Sequence, residues 1–132
     1  MLRDKVEEHG ADVWLVNTGY HSGGYGVGKR IKLTHTRAII DAIHSGELSA
    51  QIKDGQNSTL PLFGLAVPKT CPGVPETMLD PRNGWPSQEE YMAKLTELAK
   101  LFRENYELYE RDVRTYIDAN IAETISAAAP QL

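Results

Sequence analysis

A chain of 132 residues, 41% hydrophobic and 24% charged, carries enough apolar side chain for one domain with a modest core, in the proportions of an ordinary soluble globular protein. Its formal net charge is −4, and no Lys/Arg cluster is dense enough to form a basic face, so nucleic acid is not expected as a partner. A single cysteine, Cys71, excludes an intrachain disulfide and suits a reducing, cytoplasmic setting; no apolar run approaches membrane-spanning length, so no membrane partner is expected.

The first ten residues are charged and lack an apolar stretch, so they do not read as a signal peptide. Leu2 to His9 suits a short helix, with Gly10 as its stop. Asp12 to Asn17 holds Val13, Trp14, Leu15 and Val16 in succession, the pattern of a strand buried on both faces. Thr18 to Lys29 is a glycine-rich loop. Arg30 to Leu33 alternates polar and apolar residues over a short strand. Thr34 is placed to cap a helix over His35 to His44, whose apolar face is Ala38, Ile39, Ile40 and Ile43, with Ser45 and Gly46 ending it.

Leu48 to Pro68 reads as one or two strands with a turn around Asp54 to Ser58, and Pro61 argues for an edge position. Between Pro68 and Pro86 the five prolines Pro68, Pro72, Pro75, Pro81 and Pro86 suggest an extended, irregular crossing of the surface. Ser87-Gln88-Glu89-Glu90 is a capping box. Tyr91, Leu95, Leu98, Phe102, Tyr106 and Tyr109 then recur at three- and four-residue spacing, one stripe on a helical face. Val113, Tyr116, Ile117, Ile121 and Ile125 continue it. One long helix, or two with a break near Glu110 to Asp112, should run to a stop at Pro130. The fold class expected is α/β: short strands plus a long C-terminal helix or helix pair, in a single domain over 1–132.

Gly23 to Lys29 satisfies the first part of a phosphate-loop pattern, Gly, four residues, Gly-Lys. The next position should be Ser or Thr, whose hydroxyl binds magnesium; here it is Arg30. The loop should also open directly into a helix, whose amides and dipole face the phosphates. Here an alternating stretch intervenes. The glycines therefore read as backbone geometry, positive φ or close approach, rather than as a triphosphate cradle. Arg37 and Asp41 are four apart and suit a surface ion pair. His9, His21, His35 and His44 make no metal-ligand spacing with Cys or carboxylates. Cys71 has no local neighbour to activate a thiolate. The aromatic stripe reads as packing, with Glu89, Glu90, Glu97, Glu104 and Glu107 mostly on the solvated side.

Three blocks together resemble ATP-dependent phosphoenolpyruvate carboxykinases, in the order and spacing of that family's C-terminal end. They are ADVWLVNTGYHSGGYGVGKRIKLTHTRAIID (Ala11 to Asp41), LPLFGLAVPKTCPGVPETMLDPRN (Leu60 to Asn83) and LAKLFRENYELY (Leu98 to Tyr109). The resemblance fades after Glu110. Where the family has Trp-Thr-Gly-Gly-Pro-Tyr-Gly, this chain has Tyr20-His21-Ser22-Gly23-Gly24-Tyr25-Gly26, so the Trp and the Pro that would stiffen the loop are missing. The resemblance implies the C-terminal part of a mononucleotide-binding domain, in an enzyme of gluconeogenesis that converts oxaloacetate and ATP to phosphoenolpyruvate, carbon dioxide and ADP. It implies that Arg30, Ile31 and Thr36 contact the adenosine end of the nucleotide. Ile31 would offer backbone groups to an adenine edge, Thr36 a hydroxyl, and Arg30 a guanidinium that stacks or reaches a phosphate. ATP, Mg and Mn are the implied cofactors of the whole enzyme. Its phosphate loop, its metal-binding residues and its oxaloacetate-binding Arg match nothing in this chain, so the 132 residues alone are expected to be inactive.

A competing possibility is a stand-alone, non-catalytic module that binds nucleotide weakly or oligomerises. The implied partner is then ATP or ADP together with the remainder of a carboxykinase chain, or else a self-associated copy. The two readings divide over Val13 to Val16: a stand-alone protein should hide that run, and a portion of a larger one should leave it open.

Overall fold

A computed structural model describes residues 2–24, 26–113 and 119–132. Helix α1 spans Leu2–His9 as expected and ends at Gly10, whose φ of +57° suits a residue without a Cβ. The chain then runs without regular structure from Ala11 to Thr18. The strand expected over Asp12 to Asn17 is therefore not formed. A strand is stabilised by neighbours, and among the described residues no backbone group from Asp12 to Thr18 makes a backbone hydrogen bond. Trp14 and Val16 are half-buried, while Val13 is 73% and Leu15 80% exposed. One face of the run is inside and the other is open.

Strands β1 (Tyr20–His21) and β2 (Lys29–Arg30) pair antiparallel around the glycine loop. Ile31 leaves this hairpin with its N–H donated to the Gly19 carbonyl at 2.9 Å. Anchored there, the chain turns at once into α2 (Leu33–His44), so that Lys32 takes the cap position with no side-chain bond. Thr34 lies inside the first turn and is not the cap expected from the sequence. Helix α3 (Glu47–Lys53) follows where a strand was expected from Leu48. Leu48 and Ile52 are four apart, a helical spacing, and burying Leu48 to 2% exposure against Ala42, Cys71 and Val74 decides the matter. Trp14, Ala38, Ile39, Ile43, Met78 and Leu79 complete that core.

Strands β3 (Asn57–Thr59) and β4 (Ala66–Pro68) form a second antiparallel hairpin. Its reversal lies at Leu60 to Leu65, later than the expected turn at Asp54 to Ser58, and Pro61 sits in that reversal, where no ladder N–H is needed. The proline-rich crossing is more ordered than expected, holding α4 (Glu76–Leu79) and a 3-10 turn over Pro81–Gly84. Helix α5 (Gln88–Val113) starts where the capping box placed it, the Glu90 N–H donating to Ser87 Oγ at 3.1 Å. Tyr91, Leu95 and Ala99 are buried and Tyr106 is half-buried, whereas Leu98, Leu101, Phe102, Leu108 and Tyr109 are exposed, so the stripe is fully covered only at its start. Phe102 meets Phe63 of the β3–β4 reversal edge to face at 5.6 Å between centroids.

Helix α6 (Ala119–Ala127) ends before Pro130. Helix α5 continues through Glu110 to Asp112, where a break was one of the two expectations, and Tyr116 and Ile117, named in the stripe, fall outside the described residues. The expected mixture of helices and short strands with a long helix near the end is thus present, its strands being two separate antiparallel hairpins among the described residues. Ser87→Ala should lower stability by about 1 kcal/mol through loss of the cap, measured by urea denaturation. An unchanged midpoint would mean that the cap bond contributes nothing.

Candidate functional site

The loop between β1 and β2 is closed by its own backbone. The Val27 and Gly28 amides both donate to the Gly24 carbonyl, at 3.1 and 3.0 Å. Amides turned inward cannot cradle a phosphate. Gly23 and Gly26 have φ of +138° and +82°, and a Cβ at Gly28 would sit 3.0 Å from the Gly23 oxygen. The glycines therefore serve geometry, and the four residues Lys29 to Lys32 separate the loop from α2. Ser22, itself at φ +61°, lies against the 3-10 turn: a Cβ on Gly84 would meet the Ser22 Cα at 2.6 Å. The loop is docked, not free. His21 Nδ1 and Ser22 Oγ stand 2.6 Å apart within it.

The hairpin presents Lys29 and Arg30, with Lys32 beyond, as an exposed cationic run on a chain that is acidic overall. Arg30 has no ion pair among the described residues. Ile31 is only 8% exposed, so its side chain belongs to the interior. Its N–H is committed to Gly19, while among the described residues its carbonyl accepts no backbone hydrogen bond. Thr36 is half-buried within α2, its hydroxyl without a partner among the described residues. The three candidates thus follow one path, across the end of β2 and into α2.

Ile31 also contributes to an apolar cleft of about 860 Å³, lined among others by Trp14, Val16, Ile43, Trp85 and Leu95. Arg30 and Thr36 are not on its wall. The cleft and the exposed cationic run are separate features that share Ile31.

Beside the cleft, Asp80 caps the 3-10 turn by accepting from the Arg82 N–H at 3.0 Å, and its carboxylate also accepts from Arg82 Nε at 2.9 and 3.0 Å. Ser58 Oγ donates to it at 3.2 Å, tying β3 to the turn. The Arg82 side-chain bond holds the Asp80 carboxyl below the usual range, against the opposing effect of burial. Burial pushes the Tyr91 phenol up, and Trp85 packs on its ring edge to face at 6.0 Å. Burial likewise raises the Cys71 thiol, with the Glu47 charge adding to it, the reverse of what an activated thiolate needs. Asp80-Pro81-Arg82 carried a local signal, an acidic cap before a proline at the first turn position. The Gly84–Ser22 contact carried none, since it joins residues far apart in sequence.

Among the described residues no group of three or more His, Cys, Asp or Glu side chains could hold a metal ion. The described residues thus offer no ligand set that fits a divalent cation. No described helix is long and apolar enough to cross a membrane.

Residues 1–77 match the family model described as phosphoenolpyruvate carboxykinase. The chain is 48% identical over 110 residues to the phosphoenolpyruvate carboxykinase (ATP) of Dictyostelium discoideum, covering 83% of this chain and 19% of that protein. It is 45% identical over all 132 residues to phosphoenolpyruvate carboxykinase (ATP) 2 of Salinibacter ruber, covering 23% of that protein. With the Bacillus subtilis phosphoenolpyruvate carboxykinase (ATP) it shares 47% identity over 109 residues, 83% of this chain and 20% of the relative. The class is an enzyme family, and the chain belongs to it: the ATP-dependent phosphoenolpyruvate carboxykinases. It spans about a fifth of the length of the curated relatives it matches.

Proposed function

We propose that this chain forms the adenosine-side wall of the nucleotide site in an ATP-dependent phosphoenolpyruvate carboxykinase, as the C-terminal part of its mononucleotide-binding domain. The whole enzyme would work in the cytoplasm, in gluconeogenesis, converting oxaloacetate and ATP to phosphoenolpyruvate, carbon dioxide and ADP. The carrying observation is the exposed run Lys29, Arg30 and Lys32 beside the uncommitted Ile31 carbonyl, on a chain whose net charge is −4. A carbonyl accepts from the adenine amino group. Arg30 stacks on the base or reaches a phosphate oxygen, and the Thr36 hydroxyl serves as donor or acceptor. Magnesium and manganese belong to the family's chemistry, and with no fitting ligand set in the described residues no step is derived through them. The open face of Val13 and Leu15 favours a portion of a larger enzyme over a stand-alone module.

A full-length chimera, with this chain in place of the aligned end of the Salinibacter ruber relative, supplies the test. Arg30→Ala should raise KM for ATP roughly 10-fold, the loss of one charged hydrogen bond. Thr36→Ala should raise it a few-fold. KM for oxaloacetate should stay near its starting value in both. Equal effects on both substrates would place these residues away from the nucleotide.

A further inference from the structure

Gly84 ends the 3-10 turn and stands directly against Ser22. A Cβ on it would lie 2.6 Å from Ser22 Cα, 2.6 Å from Ser22 Oγ and 2.9 Å from Ser22 Cβ. Carbon atoms in contact stand about 3.5 to 4.0 Å apart. A rotamer change could carry the Oγ away, but the Cα belongs to the backbone, so the chain itself would have to move. Gly84 is not among the glycines of positive φ. The close approach, and not backbone conformation, is what calls for glycine there.

The two parts that meet at this contact are held very differently. The turn is tied down. Asp80 accepts from the Arg82 N–H and side chain, and Ser58 of β3 donates to the same carboxylate. The Asn83 N–H donates to the Asp80 carbonyl at 3.1 Å. Next to Gly84, Trp85 packs on Tyr91, which is 4% exposed at the covered start of α5. Trp85 also supports the loop, its Cη2 3.8 Å from where a Cβ on Gly24 would stand. The hairpin opposite is held largely by its own bonds, with Val27 in water. Ser22 sits at φ +61°, a conformation that a residue with a side chain keeps only where its neighbours fix it. Added volume at Gly84 therefore displaces the hairpin, not the turn. The ladder passes that displacement on: Ser22 follows His21, which pairs with Lys29, Tyr20 pairs with Arg30, and the Ile31 N–H bonds the Gly19 carbonyl.

We propose that Gly84 is a positioning residue for ATP. By lacking a side chain it lets the β1–β2 hairpin settle where Arg30 and the Ile31 carbonyl meet the adenosine end of the nucleotide. This rests on the nucleotide reading above, and Gly84 acts only through the hairpin.

In the full-length chimera Gly84→Ala should raise KM for ATP about 3- to 10-fold, no more than Arg30→Ala does, because it works through that residue and its neighbour. The kcat and the KM for oxaloacetate should stay within about twofold. In the Arg30→Ala background the same substitution should have a smaller effect, since part of what it displaces is gone. Ser22→Gly removes two of the three crowding atoms and should restore part of the loss. Ser87→Ala, which weakens the α5 cap away from the hairpin, should leave KM for ATP unchanged. If the chimera does not fold, amide NMR of the 132-residue chain gives the reading: Gly84→Ala should shift the Gly28 and Ile31 resonances more than that of Ala50 in α3, and equal or absent shifts overturn the proposal. A KM for ATP that responds to Arg30→Ala but not to Gly84→Ala sinks this inference and leaves the nucleotide reading standing. Equal rises in KM for both substrates, or an equal rise with Ser87→Ala, would make Gly84 a matter of stability alone and overturn it too. If neither Arg30→Ala nor Gly84→Ala moves KM for ATP, the nucleotide reading fails and takes this role with it.

Discussion

Purified alone, the 132-residue chain is expected to form no phosphoenolpyruvate above background from oxaloacetate and ATP, in a coupled assay supplied with magnesium and manganese. Phosphoryl transfer is catalysed almost entirely by positioning and by neutralising charge around the γ-phosphate, work done by cations and by donors aimed at its oxygens. The described residues hold no cluster able to bind a metal, and the amides of Val27 and Gly28 are spent inside the glycine loop. What remains are the groups proposed to meet the nucleotide, Arg30, the Ile31 carbonyl and Thr36. Contacts to a base and ribose are equally strong in ground and transition states, so they lower KM without raising kcat. The expected deficit relative to a full-length relative is therefore the catalytic enhancement itself, at least about a million-fold. Calorimetry should show weak or undetectable ATP binding. Turnover that survives dilution and further purification would mean that a metal and phosphate site is built from residues given no such role here.

What could be read from the sequence was what depends on near neighbours. Helix α5 begins where Ser87 and Glu90 place it, because a cap and the stripe that follows are local signals. Helix α1 ends at Gly10 for the same kind of reason. Leu48 to Lys53 was misread because a short apolar stretch supports either period, and burial of Leu48 under α2 and Cys71 settles it as helix. Val13 to Val16 was misread as formed strand because the residue pattern reports the environment a segment is suited to, which this chain only half supplies. At the site, Arg30, Ile31 and Thr36 were named through the family resemblance and not through any local chemical pattern. The structure adds that the Ile31 N–H is already bonded to the Gly19 carbonyl, so the proposed backbone contact falls to its carbonyl. The docking of Ser22 on Gly84 could not have been read, because nothing near either residue encodes their meeting.

Asp80→Ala should lower the stability of this chain by about 2 kcal/mol at neutral pH, between the cost of an exposed pair and that of a buried one. The Asp80 and Arg82 side chains are 17% and 32% exposed, so solvent screens the pair only in part. The substitution removes the acceptor of the Arg82 backbone N–H, the partner of its guanidinium and the acceptor of Ser58 Oγ together. It unties β3 from the 3-10 turn on which Ser22 and the glycine loop rest. The effect must depend on pH in a fixed direction. The Asp80 pKa is held below its unfolded value, chiefly by the Arg82 side-chain bond. The folded state therefore releases this proton more readily than the unfolded chain. The resulting stability is fully present above the unfolded aspartate value of about 3.9 and is lost as pH falls through the lower folded value. Urea denaturation of parent and variant from pH 7 downward should thus show a constant gap to about pH 5, narrowing below about pH 4 as the carboxylate of the parent protonates. A gap that stays constant to pH 2 would mean that the carboxylate charge contributes nothing and that Asp80 acts through shape alone.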